Sequence, residues 1–149
     1  MLPSRMTDSQ RKNMMTEPWI AESGVNQLHA RFTDAVWRQD REALADCMAE
    51  DVQWKIAGLD LRGREEASGT LAKLLSACKR IRLIVGTPVL EVGDGEASGR
   101  APVTEFTQMN DGASVLTIGV YYDRYVQEGS RWRFKTRHFA LHYRGPTDL

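Results

Sequence analysis

The sequence predicts an α+β domain in which three N-terminal helices pack on one face of a curved antiparallel sheet. Apolar residues recur at three- and four-residue steps between Trp19 and Cys78. Period-two alternation takes over from Ile81 onward. Turn signals at Gly93-Asp94-Gly95, Asn110-Asp111-Gly112 and Gly129-Ser130 cut that second half into strands. Helices first and an antiparallel meander after is the α+β pattern. A long curved sheet with helices on one face makes a cone, and the gap between them can hold a ligand.

Residues 1–18 are polar and contain two prolines, so they read as a disordered leader before a domain over residues 19–145. Met6, Met14 and Met15 leave the start residue open. Val25, Leu28, Phe32, Ala35 and Val36 form one stripe of a first helix. Asp40 stands where an N-cap belongs, and Leu44, Ala45 and Met48 give a short second helix its apolar face. Val52, Trp54 and Ile56 alternate, which predicts a strand over residues 51–57. Gly58 and Gly63 bracket a short extended or turning piece. Ala67, Leu71, Leu74, Leu75 and Cys78 mark a third helix. Four strands follow: one through Ile81, Leu83 and Val85 that Pro88 interrupts, then residues 103–109, 115–126 and 132–143.

The 149 residues make one domain with a sizeable core. Apolar residues are 42% and charged residues 27%, ordinary for a globular protein. Lys plus Arg and Asp plus Glu are equal at 20 each, so no basic face calls for nucleic acid and no polybasic stretch for a membrane. No apolar run approaches a membrane span, and the N-terminus has no secretory h-region; a cytoplasmic protein is expected. Cys47 and Cys78 read as free thiols on helix faces. Three scattered histidines give no metal-ligand spacing, and no phosphate loop or nucleophile elbow is present, so neither metal nor cofactor is expected.

The C-terminal hairpin carries a resemblance. It runs Gly119-Val-Tyr-Tyr-Asp-Arg-Tyr-Val-Gln-Glu-Gly-Ser-Arg-Trp-Arg-Phe-Lys-Thr-Arg137. With Met48-Ala-Glu-Asp-Val-Gln-Trp54 and Gly63-Arg-Glu65, it resembles the SnoaL-like branch of the nuclear-transport-factor-two-like superfamily. The resemblance covers roughly residues 19–145 and implies a cystatin-like α+β roll. It speaks to fold more than to activity, because this fold hosts many functions. The branch includes dehydratases, a dehydrochlorinase and polyketide cyclases, which act on apolar rings inside a greasy cone.

Dehydratase-type members use a His–Asp dyad. Here the Asp position matches Trp37, and the His position falls closest to Ile84. Neither can move a proton, so dyad-type elimination is not expected. Asp40 reads as the helix cap. The base of the related ketosteroid isomerase would fall near Ile56 and its partner near Phe32. Arg137 does match the last-strand Arg that, in the related enzymes, stabilises a developing anion, with Tyr121 as a hydrogen-bond donor on the neighbouring strand. A turn near Gly129 sets residues 121 and 137 roughly opposite each other. The alternative for Arg137 is a surface pair with Asp123 or a dimer partner. His138 points away if Arg137 points in, and becomes the candidate base if the register slips by one. His29 and His142 read as structural.

Phe32, Trp37, Trp54, Ile56, Ile84 and Phe139 are expected to line the cone, and Trp132 and Phe134 to be core. The expected partner is a small apolar or aromatic molecule, with a homodimer as the expected assembly. The expected activity is a cofactor-independent lyase or isomerase; a non-catalytic binding module and a partner subunit are the alternatives.

Overall fold

The structure is a computed structural model that describes residues 7–10 and 17–147. The leader expected over residues 1–18 falls largely on residues 1–6 and 11–16, which lie outside the described residues. Pro18 opens the first helix, α1 (Pro18–Arg38), where its missing N–H costs nothing. The stripe of Val25, Leu28, Phe32, Ala35 and Val36 is buried. The helix ends on Gln39 in the left-handed region at φ 52°. Gln39 N–H then bonds Val36 O, and Asp40 N–H bonds Ala35 O, each at 3.0 Å. Asp40 is also the cap of α2 (Arg41–Asp46): its carboxylate accepts from Ala43 N–H at 3.1 Å.

Strand β1 (Met48–Ile56) turns through Ala57 and Gly58 into β2 (Leu59–Arg62). Both turn residues have positive φ, 52° and 76°, as a tight two-residue hairpin requires. Helix α3 (Arg64–Ser76) buries Ala67 and Leu71. Then come β3 (Cys78–Val85), β4 (Val89–Val92), β5 (Glu96–Met109), β6 (Ser114–Glu128) and β7 (Arg131–Pro146).

Five strands therefore follow the third helix, not four. Pro88 ends the β3 run, and β4 folds back to pair with the first part of β5, Val89 opposite Arg100 through Val92 opposite Ala97. The expected strand over residues 103–109 is the second half of β5; Gly99 and Pro102 hide its first half from a propensity reading. The cysteines are also displaced from helix faces. Cys47 is the turn residue after α2, and Cys78 opens β3; both are free thiols.

The sheet runs β2-β1-β7-β6-β5-β3, with β4 on β5. It is antiparallel except that β1 lies parallel to β7. Its concave face packs against the helices around Val25, Leu28, Phe32, Trp54, Tyr125, Trp132 and Phe134. Among the described residues no helix is long and apolar enough to cross a membrane.

Candidate functional site

Between the concave face, α1 and α3 lies a cavity of about 880 Å³, within the range of small-molecule sites. Phe32 and Val36 of α1, Leu71 and Leu75 of α3, and Trp54 and Ile56 of β1 line one side. Ile81, Leu83, Val103, Tyr121 and Phe139 line the sheet side. Polar groups are few: Thr70, Lys73, Cys78, Glu105, Thr107, Thr117 and Arg144. Gly119 shapes one wall. A Cβ there would meet Ala140 O at 2.4 Å and the Phe139 ring at 2.5 Å, so any side chain would push Phe139 out of place.

Phe32, Trp54, Ile56, Tyr121 and Phe139 thus stand in the wall, as the alternation and helix stripe suggest. Trp37 and Ile84 do not. Trp37 is 44% exposed and donates its indole N–H to Leu83 O at 2.8 Å from outside the cone. Ile84 is 55% exposed, because Leu83 and Val85 take the inner face of β3 and period two sends Ile84 outward. His138 is exposed and stacks beside Tyr122 on the outer face. The register does not bring it inward.

Arg137 points inward but does not line the cavity. A bulge between Arg124 and Tyr125 places it opposite Asp123, while Tyr121 faces Phe139. The guanidinium is enclosed by rings: its carbon lies 3.4 Å from the Tyr121 centroid, 4.1 Å from Phe134 and 4.6 Å from Phe32. Its Nε sits 3.0 Å from Asp123 Oδ1 but off the hydrogen-bond direction, so the contact is an ion pair by distance. Nη1 and Nη2 have no partner among the described residues.

The pair continues into a buried polar chain that the sequence reading missed. Tyr125 donates its hydroxyl proton to Asp123 Oδ2 at 3.2 Å, and His29 Nε2 meets the Tyr125 oxygen at 2.8 Å. Burial raises the Asp123 carboxyl to about 6 against the pull of Arg137. Burial, with Arg137 nearby, lowers His29 to about 3, so its imidazole is neutral near pH 7. Burial also pushes the Tyr121 phenol up to about 12. His29 was legible in principle: with Val25, Phe32 and Val36 it falls on the buried stripe of α1.

Glu105 is the second group the sequence reading passed over. It shares the inner face of β5 with Val103 and Thr107, and its Oε1 accepts from Thr107 Oγ1 at 3.1 Å. Burial raises its carboxyl above the usual range, while the Thr107 bond and Arg144 pull it down. Among the described residues, no cluster of three His, Cys, Asp or Glu side chains could hold a metal ion.

A family model described as the SnoaL-like domain matches residues 19–138. The chain belongs to the SnoaL-like domain family. Solved structures of similar fold surround this SnoaL-like domain. One is hexachlorocyclohexane dehydrochlorinase LinA-type3 from Novosphingobium barchaimii LL02, 18% identical, with a TM-score of 0.76 over 86% of this chain and 90% of that one. A Streptomyces avermitilis protein of the NTF2-like family is 17% identical, with a TM-score of 0.76 over 85% of this chain and 99% of its own. Rv3472(D26N), a protein of unknown function from Mycobacterium tuberculosis, is 25% identical, with a TM-score of 0.76 over 83% of this chain and 77% of its own. No match to the SnoaL-like chain was found among curated proteins. The first two likenesses establish fold. They leave the chemistry to the residues in the cavity wall.

Proposed function

We propose that this SnoaL-like domain binds a small, mostly apolar, cyclic molecule and acts on it as a cofactor-independent lyase or isomerase. The cavity carries this reading. It is large enough for one or two fused rings, and Phe32, Trp54, Tyr121 and Phe139 offer aromatic faces to a ring. The structural neighbours include a dehydrochlorinase, which agrees in kind with elimination chemistry.

The experiment is a fluorescence titration with 2-naphthol. Quenching that saturates, and that is lost in Leu71→Trp where an indole would fill the cavity, is the expected result. Quenching unaffected by Leu71→Trp would remove the cavity from the account.

A non-catalytic binding module is the second reading. It is favoured by Trp37 and Ile84, which stand at the dyad-matched positions and face outward, and by Arg137, which is held behind the rings. Saturable binding of ring compounds with no turnover of any of them is its signature. For the assembly, a homodimer through the outer sheet face suits the exposed Ile84, Phe106 and Tyr122. Sedimentation equilibrium showing only monomer at high concentration would rule that out.

A further inference from the structure

We infer that Glu105 is the proton-transferring group of this cavity, removing a carbon-bound proton from an enolisable cyclic ketone while Arg144 offsets the negative charge that develops on the ketone oxygen. This rests on the cavity being a small-molecule site.

The observation is a row across four strands. Leu83 of β3 pairs with Glu105 of β5, Glu105 with Thr117 of β6, and Thr117 with Arg144 of β7. All four line the cavity. Glu105 is the one carboxylate among the described lining residues, and it is half-buried in a wall that is mostly apolar. Its Thr107 bond fixes one oxygen and leaves the other free to work. Glu105 forms no ion pair with any described residue; neither do Arg144 nor Lys73, the exposed cations at the mouth. A carboxylate committed to structure would be neutralised by one of them. This one is kept apart, with charge of the opposite sign a strand pair away.

The groups facing it from the surrounding elements are Cys78 on β3, Tyr121 on β6, Arg144 on β7 and Lys73 on α3. Cys78 and Tyr121 both have thiol or phenol protons held on by burial, so neither competes as the base near pH 7. Desolvation strengthens Glu105 as a base, which brings it nearer the operating pH where a general base works best.

The step balances without a co-reactant. The C–H bond beside the carbonyl breaks, and its electron pair forms the carbon–carbon double bond of the enolate. The carbonyl π pair moves to oxygen, facing Arg144. Glu105 gains the proton as an O–H bond. Return of that proton, to the same carbon or to a conjugated one, regenerates the carboxylate and completes an exchange or an isomerisation.

The test uses 2-tetralone, a bicyclic ketone with acidic protons beside its carbonyl. Exchange of those protons for deuterium is followed by proton NMR in D₂O, and binding by tryptophan quenching. The wild type is expected to exchange faster than buffer. Glu105→Gln, which keeps an acceptor for Thr107, is expected to lower the rate by about 100-fold or more while binding 2-tetralone as before. Glu105→Asp should give an intermediate rate and guards against loss of fold in the first variant. Full exchange activity in Glu105→Gln overturns the assignment. Binding by the wild type with no exchange above buffer also overturns it, and leaves the cavity reading standing. Failure of millimolar 2-tetralone to quench the wild type overturns both.

Discussion

Arg137 on β7 and Asp123 on β6 are direct cross-strand partners, 3.0 Å apart, and neither side chain is exposed to solvent. Their charges are balanced mainly by each other. Removing one leaves the other buried and uncompensated, which costs far more than the pair itself contributes. Asp123→Ala is therefore expected to destabilise the fold by about 3–5 kcal/mol. Asp123→Leu combined with Arg137→Met should recover most of that loss, because an apolar pair of similar volume carries no desolvation penalty. Urea unfolding of the two variants checks this. A loss below about 1 kcal/mol in Asp123→Ala would place the pair in contact with water after all.

The same cluster sets an acid-side stability profile. His29 falls from 6.5 to about 3 on folding, so between those values the unfolded chain holds a proton that the folded chain does not. Stability from this group is present above pH 6.5 and is lost as pH falls towards 3. Asp123 acts in the opposite sense. Its carboxyl rises from 3.8 to about 6, the folded state holds the extra proton in that window, and stability declines as pH rises through it. The two slopes cancel between pH 3.8 and 6, so stability should climb from about pH 3 to 3.8, hold level to about 6, and climb again to 6.5. His29→Phe leaves only the Asp123 contribution and should turn the level stretch between pH 3.8 and 6 into a decline. Urea midpoints across this range decide it, and an unchanged slope would mean His29 is not held neutral.

Trp54 joins the fold to the site. Its side chain has no solvent exposure, it packs on Phe32 at 5.4 Å between ring centres, and it forms part of the cavity wall. Trp54→Ala should cost about 3–5 kcal/mol, read from urea unfolding, and should also abolish quenching by ring ligands. A cost under about 1 kcal/mol would show that the wall collapses into the vacated volume.

Why some of this was visible in the sequence and some was not follows from the range of the interactions. The α1 stripe, the Asp40 cap and the hairpin turns are local, and each is specified by residues within a few positions of one another. The Arg137 partner is not local. It depends on a turn centred between Gly129 and Ser130 and on a bulge between Arg124 and Tyr125, and each moves the facing residue by one, from Tyr121 to Asp123. Counting from Gly129 with no bulge misses both steps, and because two is even it gives the wrong opposite residue on the right face. Ile84 and Trp37 were placed by matching to a family pattern, and the inner face of β3 is instead taken by Ile81 and Leu83. Glu105 was legible: a carboxylate between Val103 and Thr107 on the buried side of a strand is an anomaly that period-two alternation alone exposes.

The two thiols offer an independent probe of the cavity. Cys47 is 1% exposed, and burial pushes its thiol up to about 11, so it has almost no thiolate at neutral pH. Cys78 stands in the cavity wall, partly exposed, with its Sγ near Leu74 O. Burial and Glu105 raise its thiol as well, so it should react slowly but measurably. Iodoacetamide labelling followed by mass spectrometry is expected to modify one thiol in the native protein, at Cys78, and both in denaturant. Saturating 2-naphthol should slow labelling of Cys78 and leave Cys47 as it was. Equal labelling of Cys78 with and without the ligand would place ring compounds elsewhere on the molecule, since anything occupying the space beside Leu75, Ile81 and Thr107 must cover the sulfur that shares that wall.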